Sequence, residues 1–166
     1  MKHYISALVE NKAGVLARTS GLFARRGFNI DSLAVGETDD PTVSRVTIVV
    51  DGDEYIADQV TKQLGKLVDV RIVKQLDPDH MTQREAVLVK VKIDAERRSE
   101  IYDLVKIMNC DVVDLSHTTL MIEFNDRPAR VDLLVELLSK YEIIEIARTG
   151  AIALQKGSGT IYDEEE

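Results

Sequence analysis

The sequence predicts an α+β protein built from two successive βαββαβ units. Two observations carry this prediction. Short runs of strand-forming residues are interspersed with runs in which apolar residues recur at helical spacing. The order of these runs in the first half of the chain is repeated in the second half, although the residues themselves are not. At 166 residues the chain has room for two small domains of about 75 residues each.

The first unit contains six predicted elements. Apolar residues at helical spacing predict its first helix, and Gly27 supplies a left-handed stop. The apolar alternation slips between Ile30 and Leu33, which predicts a bulge or a late start of the second strand. The order is that of a ferredoxin-like sandwich, in which two helices cover one face of a four-stranded antiparallel sheet. The predicted strands are 3–10, 28–37, 43–51 and 68–74, and the helices are 14–26 and 53–66.

The second unit repeats this order. Its predicted strands are 86–93, 111–116, 117–124 and 142–149, with 151–155 as an extension, and its helices are 95–108 and one that begins at Pro128. Because each core is modest and each sheet has an open edge, we expect an obligate homodimer. The expected boundaries are a first domain at 1–76, a linker at 77–85, a second domain at 86–156 and a mobile acidic tail at 157–166.

Charge and composition argue against several classes of protein. The net charge is −8 and no basic block stands out, so we expect no nucleic-acid partner. A single cysteine, Cys110, cannot form an intrachain disulfide, which favours a reduced, cytoplasmic protein. The N-terminus lacks the uninterrupted apolar region of a signal peptide, and no run approaches the ~20 apolar residues that span a bilayer. We therefore expect no membrane partner.

The sequence shows no constellation of residues that is typical of an active site. His3, His80 and His117 lack the spacing of metal ligands, so no metal site is expected. The acidic clusters at 39–40 and 51–54 are explained by helix capping and solvation. Neither a phosphate-binding glycine loop nor a GxSxG nucleophile motif is present. These observations favour a binding or regulatory protein over an enzyme.

One segment, NKAGVLAR at 11–18, has the features of a ligand site. It joins the first strand to the first helix, and Gly14 permits a tight turn that leaves the amide groups of Val15 and Leu16 free. Amides at the positive end of a helix dipole bind carboxylates. Amide side chains and aliphatic walls complete the candidate set, which consists of Asn11, Gly14, Val15, Leu16, Asn29 and Ile30.

The same residues have an ordinary structural explanation. Gly14 then serves a tight turn, Asn11 and Asn29 serve as turn and cap residues, and the aliphatic side chains belong to the core. Spacing alone does not decide between the two explanations.

Longer segments resemble a known family. The pattern LVENKAGVLART…LFARRGFNIDSLAVGETDDP…SRVTIVV is similar to the small, regulatory subunit of acetohydroxyacid synthase, also called acetolactate synthase. The first half resembles its ACT domain, a ferredoxin-like amino-acid sensor. The resemblance continues through VRIVKQLDP at the junction and REAVLVKV at the start of the second half. GFNIDSLAVGET is the most specific of these matches.

The resemblance implies a non-catalytic regulatory subunit of valine, leucine and isoleucine biosynthesis. Such subunits bind a large catalytic subunit, raise its activity in condensing pyruvate and make it sensitive to feedback by valine or another branched-chain amino acid. Thiamine diphosphate, magnesium and FAD are expected in the catalytic partner, and no cofactor in this chain. The effector lies between two ACT domains of a homodimer. One chain would contribute Asn11, Gly14, Val15 and Leu16, and its neighbour would contribute Asn29 and Ile30.

Two rival functions remain at this point. A stand-alone ACT regulator of another protein or of transcription would also bind an amino acid, although the acidic charge and the absence of a helix-turn-helix argue against DNA binding. A small enzyme on a ferredoxin-like scaffold is the second rival, because the fold alone does not determine function.

Overall fold

The computed structural model describes residues 1–163 and divides the chain into two compact units. The first comprises Met1–Gln83 together with the segment that starts at Ala151, and the second is Arg84–Gly150. Each unit contains a four-stranded antiparallel sheet and two helices in the order β-α-β-β-α-β. The prediction of two ferredoxin-like units is therefore confirmed.

The first unit has strands in the order β2-β3-β1-β4, so that β2 and β4 form the edges. The shift of register between Ile30 and Ser32 confirms the predicted irregularity at the start of β2. Helix α1 is bounded by two glycines with positive φ, Gly14 at 87° and Gly27 at 66°. The elements are β1 Lys2–Glu10, α1 Val15–Arg26, β2 Ile30–Glu37, β3 Val43–Asp51, α2 Glu54–Leu64 and β4 Val70–Leu76.

Alternate residues of the central strands build the core beneath the two helices. Ile5 and Ile48 are fully buried there, because odd positions of β1 pair with even positions of β3 and both face the helices. The helices complete this core with Val15, Leu22, Phe23, Val60 and Leu64.

The opposite face of the same sheet is covered by the C-terminal part of the chain. Ala151 and Ala153 pack with Tyr4, Val49 and Leu76. Further along, Ile161 is only 5% exposed and packs with Leu8 and Val43. Strand β9, Ile152–Gln155, pairs with β5, Met81–Lys92, whose first three residues belong to the first unit.

These contacts differ from the expected domain boundaries. Residues 77–85 include a 3₁₀ turn at Pro78–His80 and the start of β5, where a linker was expected. Segment 151–156 belongs to the first unit, and the tail is anchored through Ile161 as far as residue 163, while 164–166 lie outside the described residues. Hydrophobic periodicity shows which residues are buried, but it does not show which unit buries them.

The second unit has the strand order β6-β7-β5-β8. Val89, Ile101, Ile122 and Leu134 are fully buried at the centre of its core. The other elements are α3 Arg98–Met108, β6 Asp111–Leu115, β7 Thr119–Asp126, α4 Pro128–Leu138 and β8 Ile143–Arg148. None of the helices within residues 1–163 is long and apolar enough to cross a membrane.

Replacing Ile161 tests whether the C-terminal segment is part of the first unit. We expect Ile161→Ala to lower the free energy of unfolding by about 2–4 kcal/mol, because it removes a buried side chain and leaves a cavity. Tyr162→Ala is the matched control, since Tyr162 is 70% exposed, and should change it by less than about 0.5 kcal/mol. Urea denaturation measures both. Equal stabilities of the two variants would show a mobile tail.

Candidate effector-binding site

The loop between β1 and α1 requires glycine at position 14. Gly14 has a φ of 87°, in the left-handed region that other residues rarely adopt. A Cβ at this position would lie 2.9 Å from Nη1 of Arg18, which packs over the turn. The backbone therefore turns sharply at Gly14 and enters the helix at Val15.

Helix α1 begins without a side-chain cap. Gly14 offers no capping group, and the first turn contains no acidic residue. The amide of Val15 donates to the carbonyl oxygen of Lys12 at 3.4 Å, whereas those of Leu16 and Ala17 have no acceptor among residues 1–163. The free amides are thus one residue further along than the sequence predicted. They point from the positive end of the helix and suit a carboxylate.

Asn11 is anchored to the opposite side of this loop. Its side-chain Nδ2 donates to the carbonyl oxygen of Pro41 at 2.8 Å and to Oε2 of Glu37 at 3.2 Å. Its backbone amide donates to the carbonyl oxygen of Thr42 at 2.8 Å. With both donors engaged, Oδ1 remains an acceptor that no donor of the described chain occupies.

A small cavity of about 70 Å³ opens beside the first turn of α1. Its aliphatic side includes Val9, Val15 and Val46, which are buried, and Leu16 and Val35, which are about half exposed at its mouth. The hydroxyl of Thr19 donates to the carbonyl oxygen of Val15, so this wall offers no free donor. The remaining lining residues are Glu10, Asn11, Lys12 and Ser44. The cavity suits a short aliphatic group with polar atoms at its rim.

The structure brings three of the six candidate residues to this cavity, namely Asn11, Val15 and Leu16, and Gly14 shapes the turn beside them. Asn29 and Ile30 lie elsewhere in the same chain. Ile30 pairs with Val50, whereas Val35 at the cavity pairs with Val46. Val50 and Val46 are four positions apart on β3, so Ile30 and Val35 lie about 13 Å apart along the sheet. Within one chain, Asn29 and Ile30 do not join the other four.

Sequence reasoning missed the contributions of the neighbouring strands. Val35, Ser44 and Val46 reach the cavity because β2 pairs with β3, and this register is not readable from either strand alone. It also missed Asp69, which accepts hydrogen bonds from Arg18 at 2.6 Å and Lys12 at 3.1 Å. The Arg18 hydrogen bond is the main reason that the pKa of Asp69 lies below its usual value.

Among the described residues, no cluster of side chains suits a metal ion, and the single thiol is not activated. Residues 1–163 contain no cluster of three or more His, Cys, Asp or Glu side chains that could hold a metal ion. Cys110 is half-buried, and this burial raises the pKa of its thiol to about 11. A nucleophilic cysteine needs a lowered pKa instead.

Comparison with known proteins identifies the family. The profile described as "AHAS small subunit-like ACT domain" matches residues 5–72, and "Small subunit of acetolactate synthase" matches residues 84–157. The chain belongs to the acetolactate synthase small-subunit family. The resemblance recognised in the sequence is thereby confirmed, and the first unit is an ACT domain of the kind found in these small subunits.

Relatives match over nearly the whole chain. A probable acetolactate synthase small subunit from Methanothermobacter thermautotrophicus is 45% identical, covering 96% of this chain and 95% of the relative. The acetolactate synthase small subunit of Mycolicibacterium smegmatis is 44% identical, covering 93% and 91%. The crystal structure of the Thermotoga maritima small subunit superposes with a TM-score of 0.88 at 40% identity, covering 96% and 99%.

Alkylation tests the state of Cys110. Because only the thiolate reacts, we expect iodoacetamide to modify the folded chain at pH 7 at least about tenfold more slowly than free cysteine, and the rate to keep rising with pH beyond pH 9. Mass spectrometry measures the rate, with the urea-unfolded chain as control. A rate that levels off near pH 8 would contradict the raised pKa.

Proposed function

We propose that this chain is the regulatory subunit that activates a thiamine-diphosphate-dependent acetolactate synthase and makes it sensitive to inhibition by valine. Membership of the small-subunit family supports the partnership with a catalytic subunit. The observation that carries the valine proposal is the uncapped start of α1 beside a small aliphatic cavity.

Each chemical group of valine has a complementary partner at this place. The α-carboxylate accepts hydrogen bonds from the free amides of Leu16 and Ala17. The α-ammonium donates to Oδ1 of Asn11, which is held in place by its bonds to the β2–β3 connection. The isopropyl group enters the cavity between Val15 and Val46. The small volume of the cavity favours a short branched side chain over a long one.

A homodimer would complete the site. Strand β2 is an edge of the first sheet, and Val35 near its end is 47% exposed. If two β2 strands pair antiparallel about a two-fold axis near Leu33, the extra residue between Ile30 and Ser32 lets Ile30 of one protomer lie opposite Val35 of the partner subunit. This pairing would bring Asn29 and Ile30 to a site from which Ile30 is about 13 Å away in its own chain.

Binding between two protomers provides a mechanism for feedback. The affinity for valine then depends on how the two chains are arranged. If the arrangement that binds valine differs from the one that activates the catalytic subunit, valine shifts the population toward the inhibited form. A typical coupling free energy of about 1–3 kcal/mol would change activity or affinity from several-fold to about a hundredfold.

The decisive experiment measures acetolactate formation by the catalytic subunit with and without this chain, while valine is titrated. We expect the chain to raise the activity and valine to remove that increase. Calorimetry with the isolated chain should show one valine site per protomer, which is two sites per homodimer. An amino-acid response that leaves the catalytic subunit unaffected would instead favour a stand-alone ACT regulator.

Substitutions at Gly14 test whether the effector carboxylate binds at the start of α1. We expect Gly14→Asp to weaken valine binding about a hundredfold or more, because its charge lies close to the effector carboxylate. Gly14→Asn is the matched control, since asparagine has the same shape, tolerates a positive φ and carries no charge. It should weaken binding much less. Equal valine affinities of the two variants by calorimetry would place the carboxylate elsewhere.

A further inference from the structure

Asp69 joins the effector loop to a distant part of the chain. It lies between α2 and β4, and its side chain is only 5% exposed. Oδ2 accepts a hydrogen bond from Nε of Arg18 at 2.6 Å, and Oδ1 is 3.1 Å from Nζ of Lys12. Its backbone carbonyl accepts from the amide of Glu10 at 2.9 Å. One residue therefore contacts β1, the loop and the first turns of α1.

The two cations are attached to opposite ends of the glycine turn. Lys12 precedes Gly14, and the carbonyl oxygen of Lys12 accepts a hydrogen bond from the amide of Val15. Arg18 follows by one helical turn, its amide donates to the carbonyl of Gly14 at 3.0 Å, and its guanidinium packs over the Cα of Gly14. A carboxylate that holds both cations thereby restrains the backbone that carries the free amides.

We infer that Asp69 is a positioning residue of the effector site, which acts through Lys12 and Arg18 to hold the 11–18 segment in its ligand-binding conformation. This inference rests on the proposed valine site. Amide donors must lie within about 0.3 Å of their optimal distance from a carboxylate to form good hydrogen bonds, so a loop that is free to shift binds more weakly.

The ion pairs of Asp69 differ from ordinary surface ion pairs because the Asp69 side chain is buried. Exposed pairs contribute little, because water and salt screen them. Here the carboxylate is enclosed and both of its oxygens are engaged, while the two cations remain about half exposed. The buried Asp69 is therefore the fixed partner of these ion pairs, and it restrains the loop that carries Lys12 and Arg18.

Asp69→Asn tests the inference directly. We expect it to weaken valine binding at least about tenfold by calorimetry, and Asp69→Glu, which keeps the charge, to restore part of the affinity. Asp58→Asn is the matched control: Asp58 pairs with Lys62 at 2.6 Å on an exposed helix face, and its loss should leave valine affinity unchanged.

Variants of the exposed partners keep the test informative if Asp69→Asn folds poorly. Lys12→Gln and Arg18→Gln change half-exposed side chains and should each weaken valine binding. Combining Arg18→Gln with Asp69→Asn should cost little more than the larger single effect, because both remove the same contact. Additive losses, or wild-type affinity of Asp69→Asn, would overturn the inference. Failure of the unmodified chain to bind valine would overturn the proposed function instead.

Discussion

The start of helix α1 is the constraint on which the rest of the candidate site depends. A helix leaves its first amides without partners, and an aspartate side chain accepts amide hydrogen bonds at the start of α2 and in the turn that leads into α3. Asp53 caps α2, and Asp94 accepts the amides of Glu96 and Arg97 just before α3. At α1 that place is taken by Gly14, whose left-handed backbone turns the chain without offering a capping group. The unsatisfied amides are the consequence.

The polar side chains around the start of α1 do not cap its free amides. Both side-chain donors of Asn11 bond to the β2–β3 segment and leave its Oδ1 free, while Asp69 forms ion pairs with Lys12 and Arg18. Neither the asparagine nor the aspartate therefore caps the helix. The polar groups that flank the cavity are engaged with the protein in a way that leaves room for a ligand with both a carboxylate and an ammonium group.

The C-terminal segment of the chain belongs to the first unit and not to the second. The first unit is discontinuous in sequence, because the chain leaves it after Gln83 and returns to it at Ala151. Both faces of its sheet are consequently buried, one by the helices and the other by the returning segment with Ala153 and Ile161. An ACT domain that buries both faces of its sheet exposes mainly its edges, and β2 is the edge that adjoins the cavity.

The sequence by itself determined the two βαββαβ units, the bulge near Ile30 and the glycine turn, since these depend on the local periodicity of apolar residues and on the backbone freedom of Gly14. It did not reveal the return of Ile161 to the first unit or the contact of Asp69 with Arg18, 51 residues away. Local sequence patterns predict whether a side chain is buried or exposed. Only the tertiary structure decides which distant side chain it meets, because that choice depends on strand register and chain path, which no short segment encodes.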